Sequence, residues 1–161
     1  MYYKILVPLD GSELAEQILP HSITLAQHYN SVIHLVQVIP LASQLAAMGL
    51  GSAGVGGIEL GAGSIPDARI LESEVSKART YLEKTGTALK GQEIEAVWEV
   101  RRGIPAEEIN NSANKNNVDL ITICTHGRSG IGRLVFGSVA DRVMRESGKP
   151  VLLIKSAKMD I

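Results

Sequence analysis

Short apolar runs alternate along this chain with longer segments in which apolar residues recur at helical spacing. Five runs are rich in β-branched and aliphatic residues, which favour strands, and they cover residues 3–9, 31–39, 93–100, 118–124 and 150–155. Several are apolar at successive positions, as expected for strands buried on both faces of a parallel sheet. The pattern predicts one α/β domain, doubly wound, with a five-stranded parallel sheet and helices on both faces.

The segments between these runs carry signals for the ends of helices. Ser12 is placed to cap a first helix, and Pro20 should kink that helix or divide it in two. Pro105 suits a first helical position, and further helices are expected to begin near Asp67 and after Ser138. Strands therefore alternate with helices from one end of the chain to the other.

One segment fits neither a strand nor a helix. Residues 43–64 hold seven glycines and a single charge, that of Glu59. We expect a glycine-rich loop insertion at about 43–66 inside a single domain that spans 1–161, acting as a disordered spacer or as a lid. Its "GLGSAG" (49–54) matches a dinucleotide-binding pattern but does not directly follow a strand, so it predicts no site.

Composition limits the partners. The formal net charge is −1, and 45% of the residues are apolar, so nothing attracts the chain as a whole to nucleic acid or to a membrane surface. No apolar run approaches the roughly 20 residues of a membrane span. The one cysteine, Cys124, cannot form an internal disulfide, which fits a reducing compartment. We therefore expect a cytoplasmic protein that uses neither nucleic acid nor a membrane as a partner.

A glycine-rich loop follows the fourth predicted strand, with glycines at 127, 130, 132 and 137 before Ser138. Glycines at such a junction let backbone N–H groups approach a ligand, and a helix amino terminus favours phosphate. Arg128 and Arg133 could grip phosphate oxygens or could face solvent. The alternative interpretation is a tight turn in which Ser138 only caps the next helix.

Three stretches together resemble the universal stress protein family: "YKILVPLDGSELAEQIL", "VDLITICTHGRSGIGRLVFGSVADRVM" and "SGKPVLLIK". The resemblance covers the chain apart from the glycine-rich insertion and implies a Rossmann-like fold. The nucleotide-binding branch has a glycine, two residues, a glycine, nine residues, then glycine and Ser or Thr. Gly127, Gly137 and Ser138 match this pattern, whereas Cys124 stands in the place of the first glycine.

The resemblance implies that ATP or another adenine nucleotide lies across the carboxyl ends of the first and fourth strands, with Mg²⁺ carried by the nucleotide. Asp10 and the backbone of Val38 would face adenosine, and the loop would hold ribose and phosphates. Asp10 has an alternative role as a turn former in "LDGS". The predicted nucleotide-binding residues are Asp10, Val38, Gly127, Arg128, Gly130, Gly137 and Ser138. No catalytic residue and no metal ligand is predicted.

The predicted function is adenine-nucleotide binding by a stress-response or signalling dimer, with slow or no hydrolysis. The lysine-bearing GxxxxGK[ST] loop of many ATPases is missing from the sequence. Two alternatives remain, a weak ATPase and a dimeric scaffold that binds only proteins. The resemblance further implies a homodimer that forms through the last strand, 150–155, at a sheet edge.

Overall fold

A computed structural model describes residues 1–40, 68–125 and 137–155. Five strands form one sheet in the order β3-β2-β1-β4-β5, and each neighbouring pair is parallel. The strands are β1 (Lys4–Pro8), β2 (Val32–Ile39), β3 (Ala96–Arg102), β4 (Leu120–Thr125) and β5 (Val151–Lys155). The five predicted strands are confirmed, with ends displaced by a few residues.

The helices of the described residues follow the predicted signals. They are α1 (Glu13–Glu16), α2 (Leu19–Tyr29), α3 (Ala68–Lys90), α4 (Pro105–Lys115) and α5 (Ser138–Glu146). Pro20 lies in the first turn of α2, so the first helical segment is divided in two instead of kinked. Pro105 is the first residue of α4, as predicted. None of these helices is both long and apolar enough to cross a membrane.

Helices cover both faces of the sheet, which confirms the doubly wound fold. On one face, Ile5 and Leu35 of the sheet share a core cluster with Leu82 and Leu89 of α3. On the other face, Leu6 and Val36 pack in a second cluster with Ile109 of α4 and Val143 of α5. Alternate residues of one strand thus enter different cores, which explains why the strands are apolar at successive positions.

The strand order determines where a ligand can bind. The chain passes from β1 outward to β2 and β3, and then returns to place β4 on the other side of β1. Strand order therefore reverses between β1 and β4, and ligands of such sheets bind beyond the carboxyl ends of the strands at this point. The predicted insertion at 43–66 and most of the glycine-rich loop lie outside the described residues.

Candidate functional site

The loop after β1 begins the site, because Asp10 forms a tight turn at the carboxyl end of that strand. Its Oδ1 accepts hydrogen bonds from the backbone N of Ser12 at 2.9 Å and from the Ser12 hydroxyl at 2.6 Å. Ser12 Oγ in turn accepts from the backbone N of Ala15 at 3.1 Å and caps α1, as predicted. Gly11 has a φ of +81°, which explains the glycine between them. Asp10 therefore does form the turn that was one of its two predicted roles, and it remains exposed.

Strand β2 extends past the end of β1 and leaves part of its backbone open. The ladder between the two strands ends at the pair Pro8–Val36, followed by a last hydrogen bond of 2.9 Å from the backbone N of Leu9 to the carbonyl of Val36. Backbone groups point alternately to the two neighbouring strands, so the N–H and C=O of Val38 point to the same side as those of Val36. They lie beyond the last residue of β1 that pairs with β2. Val38 therefore presents a donor and an acceptor beyond the carboxyl end of β1, beside the point where strand order reverses.

Gln37, which is not among the predicted site residues, lies next to this opening. Ile33 and Leu35 of β2 belong to the core beneath α3, and alternation places the Gln37 side chain on that same face. Its Nε2 lies 3.9 Å from the position that a Cβ on Gly11 would occupy. Its Oε1 is buried and has no hydrogen-bond partner. An unpaired buried acceptor of this kind costs about 1–3 kcal/mol.

A hydrogen bond between two side chains ties short helix α1 to α3. The hydroxyl of Tyr81 in α3 donates to Glu16 Oε1 at 2.9 Å. Burial raises the pKa of Tyr81 well above its usual value, and the hydrogen bond and the negative charge of Glu16 add to the increase. Tyr81 therefore stays protonated and keeps its hydrogen bond at any physiological pH. This contact holds the segment after Asp10 against the helix that covers it.

The amino end of α5 forms the other side of the crevice. Gly137 is the N-cap residue and Ser138 is the first residue of the helix, so the interpretation of Ser138 as the cap is wrong. Among the described residues, no side chain caps this helix, and none has an atom within 4 Å of the position that a Cβ on Gly137 would occupy. None of them therefore blocks the first N–H groups of α5. Asp141, in the first turn, pairs with Arg145 at 3.0 Å.

The structure describes only part of the predicted set. Gly127, Arg128 and Gly130 lie outside the described residues, so their role stays a prediction. The described members lie at the carboxyl ends of β1 and β2 and at the amino end of α5: Asp10, Val38, Gly137 and Ser138. Within the described ranges, no group of three His, Cys, Asp or Glu side chains is arranged to hold a metal ion.

Gln37 and Tyr81 are the features of this site that sequence reasoning missed. Gln37 gave a visible signal, since it is the polar residue within the apolar run "LVQVI". Tyr81 gave none, because its contact with Glu16 joins residues 65 positions apart. Arg101, near the carboxyl end of β3, has its guanidinium engaged by Glu108 at 2.7 Å and by Glu99 at 3.3 Å.

Comparison with known proteins now identifies the family. The universal stress protein family profile matches residues 1–155. The chain belongs to this family. Universal stress protein MJ0577 of Methanocaldococcus jannaschii is 30% identical over 160 residues, which cover 96% of each chain. Its solved structure superposes with a TM-score of 0.75 at 26% identity and covers 98% of this chain and 99% of that one.

Two further solved structures of the family were determined with nucleotides. A universal stress protein from Archaeoglobus fulgidus in complex with dAMP is 22% identical, with a TM-score of 0.62 over 96% of this chain and 98% of that chain. A universal stress protein in complex with cAMP is 18% identical, with a TM-score of 0.64 over 97% of this chain and 98% of that chain. At 22% and 18% sequence identity, these two comparisons show that the fold is shared.

Proposed function

We propose that this universal stress protein binds an adenine nucleotide at the carboxyl ends of β1, β2 and β4. The expected nucleotide is ATP. The observation that carries the proposal is that β2 extends past the end of β1. The N–H and C=O of Val38 therefore lie beyond the last hydrogen bond between the two strands. The nucleotide complexes of two other family members, with dAMP and with cAMP, support the same ligand class.

The Val38 backbone suits adenine. The Watson–Crick edge of adenine carries the 6-amino donor beside the N1 acceptor, so a C=O and an N–H of one residue can satisfy both groups. Guanine carries an acceptor and a donor in the opposite order. The exposed Asp10 carboxylate lies at the neighbouring strand end, where it can accept from a ribose hydroxyl or an amino group. A carboxylate beside the triphosphate would instead be repelled, so Asp10 belongs to the nucleoside end.

The phosphates extend toward α5. The uncapped N–H groups around Gly137 and Ser138 face the carboxyl end of the sheet, and the helix dipole favours negative charge there. Gly127, Arg128 and Gly130 complete the site in this proposal. Any Mg²⁺ is carried by the phosphates in this proposal. A helix terminus adds only about 0.3–1 kcal/mol per charge, so binding depends on the nucleoside contacts as well.

The protein acts in this proposal as a nucleotide-responsive homodimer in the stress response, with slow or no hydrolysis. The dimer forms through β5, which lies at an edge of the sheet. The cytoplasm stays the predicted location. A scaffold that binds no nucleotide is the alternative, and a measurement of nucleotide binding separates the two.

The test is direct measurement of nucleotide binding. Protein purified without added nucleotide is denatured, the released small molecules are identified by mass spectrometry, and stripped protein is titrated with ATP and with GTP. We expect micromolar ATP binding, GTP binding at least about tenfold weaker, and about tenfold weaker ATP binding by Asp10→Ala, the loss of one hydrogen bond to a charged group.

Asp10→Ala also breaks the turn with Ser12, so Ser12→Ala is the matched control. It removes the helix cap and should cost about 1 kcal/mol of stability, while ATP affinity changes less than in Asp10→Ala. No saturable binding at millimolar ATP in the wild-type protein would reject the proposal and favour the scaffold. Phosphate release measured on the same samples sets the limit on hydrolysis.

A further inference from the structure

Two buried side-chain atoms in the described residues have no hydrogen-bond partner, and they lie in different surroundings. One is Oδ1 of Asn110, in the middle of α4, where the residue is 8% exposed. The other is Oε1 of Gln37, near the carboxyl end of β2. Buried polar atoms are almost always paired, so each exception calls for a physical reason. The position of Gln37 supplies one.

Gln37 lies between the two features that define the nucleoside end of the site. Its Nε2 lies 3.9 Å from the Cβ position of Gly11, within the turn that begins at Asp10. The next residue along β2 is Val38, whose open backbone groups carry the proposed function. The Gln37 amide thus lies beneath the turn that begins at Asp10 and next to Val38 of β2. In the proposed site, this turn and this strand border the nucleoside on two sides.

We infer that Gln37 is a ligand-binding residue of this site, whose amide oxygen accepts a hydrogen bond from a donor group of the nucleoside. This inference rests on the proposed function. The last side-chain torsion of glutamine is broad, so the amide can turn and bring its oxygen to the side of Gly11, where Nε2 now lies. The donor is the base amino group or a ribose hydroxyl, since both are donors and both belong to the nucleoside end. The oxygen then has a ligand donor as its partner.

The inference predicts opposite effects on stability and on affinity. Gln37→Met replaces the amide with an apolar side chain of similar length. In the free protein it removes an unpaired buried acceptor and should raise the unfolding midpoint by about 2–4 °C. It also removes the acceptor that the ligand uses, so ATP should bind about tenfold more weakly. A residue with a purely structural role would not separate the two effects in this way.

Asn110→Leu is the matched control, because it removes the other buried side-chain oxygen that has no partner among the described residues, in α4. It should raise the unfolding midpoint by a similar amount and leave ATP affinity within about twofold of the wild type. Gln37→Leu serves as a second apolar variant at the same position, which separates loss of the acceptor from a packing effect peculiar to Met.

Nucleotide analogues then identify the donor. Inosine triphosphate lacks the 6-amino group, and 2′-deoxy-ATP and 3′-deoxy-ATP each lack one ribose hydroxyl. For the analogue that lacks the partner of Gln37, wild type and Gln37→Met should bind almost equally, whereas the other analogues keep the tenfold difference. An equal loss with ATP and all three analogues would mean that Gln37 acts through the Gly11 turn, and this would overturn the inference.

The two proposals fail in different ways. Wild-type protein that binds no nucleotide rejects the proposed function and the inference with it. Wild-type protein that binds ATP while Gln37→Met and Gln37→Leu bind it equally well rejects the inference alone.

Discussion

The two edges of the sheet differ in how completely the domain covers them. At β3, Trp98 packs on Gly86 of α3, and Lys90 Nζ lies 5.0 Å from the ring centroid. On the opposite face of the same strand, Glu99 accepts hydrogen bonds from Ser112 and Asn116 of the α4 region. Side chains on both faces of β3 are therefore held by helices of the same domain.

At β5, the four apolar residues Val151–Ile154 are all only partly buried. Leu152 and Ile154 border one core cluster and Val151 borders the other, whereas Leu153 belongs to neither. An edge strand that keeps apolar side chains partly exposed is suited to pairing with another chain. At β3 the domain's own helices hold side chains on both faces, whereas at β5 four successive apolar side chains stay partly exposed. From this difference we predict that a second copy pairs with β5 and not with β3.

The largest effect is expected where α3 covers the β3 edge. A Cβ added at Gly86 would lie 2.4 Å from the nearest carbon of the Trp98 ring. Helix propensity alone predicts that Gly86→Ala stabilises the protein by about 1 kcal/mol. Overpacking costs about 1–3 kcal/mol when neighbours must move, and the large, partly buried Trp98 ring packs against the core cluster on one side. We expect a net loss of up to about 2 kcal/mol, measured by urea unfolding.

The exposed Ala88 in the same helix provides the control. Ala88→Gly measures the local propensity term, which should be about 1 kcal/mol in favour of alanine. The emission spectrum of Trp98, the one tryptophan in the chain, should shift in Gly86→Ala and not in Ala88→Gly. If Gly86→Ala instead stabilises the protein by about 1 kcal/mol, as helix propensity alone predicts, the contact between Gly86 and Trp98 does not hold the β3 edge.

A smaller effect, on association instead of folding, is expected at β5. Leu153→Lys places a charge on the partly buried edge, and in an antiparallel two-fold pair the lysines of the two copies approach each other. The dimer dissociation constant should rise at least about tenfold, measured by sedimentation or light scattering over a concentration series.

Val97→Lys makes the same change on the other edge, where Val97 is 39% exposed on β3. It should leave the dissociation constant unchanged. If Val97→Lys weakens the dimer and Leu153→Lys does not, the assignment of the two edges is reversed. If neither variant affects a dimer that the wild type forms, the interface lies elsewhere.

These contrasts also show what the sequence could and could not predict. The apolar runs predicted all five strands, because strands buried on both faces carry a strong local signal. Ser12 and Pro105 marked helix starts correctly, since caps depend on neighbouring residues. The packing of Gly86 on Trp98 and the place of Gln37 beneath Gly11 are products of tertiary structure. No local pattern contains either contact, and both required coordinates.

The smallest effect concerns pH and again separates the two edges. His34 lies on β2 in register with Val97 of β3, and burial lowers its pKa below the usual 6.5, with Lys4 also lowering it and Glu99 opposing the decrease. The unfolded chain then binds a proton more readily than the folded one, so His34 favours the folded state fully above pH 6.5 and loses this contribution as the pH falls through its lower folded pKa.

Wild-type stability should therefore decrease from pH 7 to pH 5 more steeply than the stability of His34→Gln, as measured by urea unfolding at each pH. His21→Gln removes an exposed imidazole at the start of α2 and measures what a surface histidine contributes. If acid acts through His34, amide exchange should speed up first around the β2–β3 pair, because the charge appears between these strands, while β5 keeps its protection. If the unfolding free energies of wild type and His34→Gln change equally with pH, other groups cause the acid sensitivity. The two edges would then not differ in their response to pH.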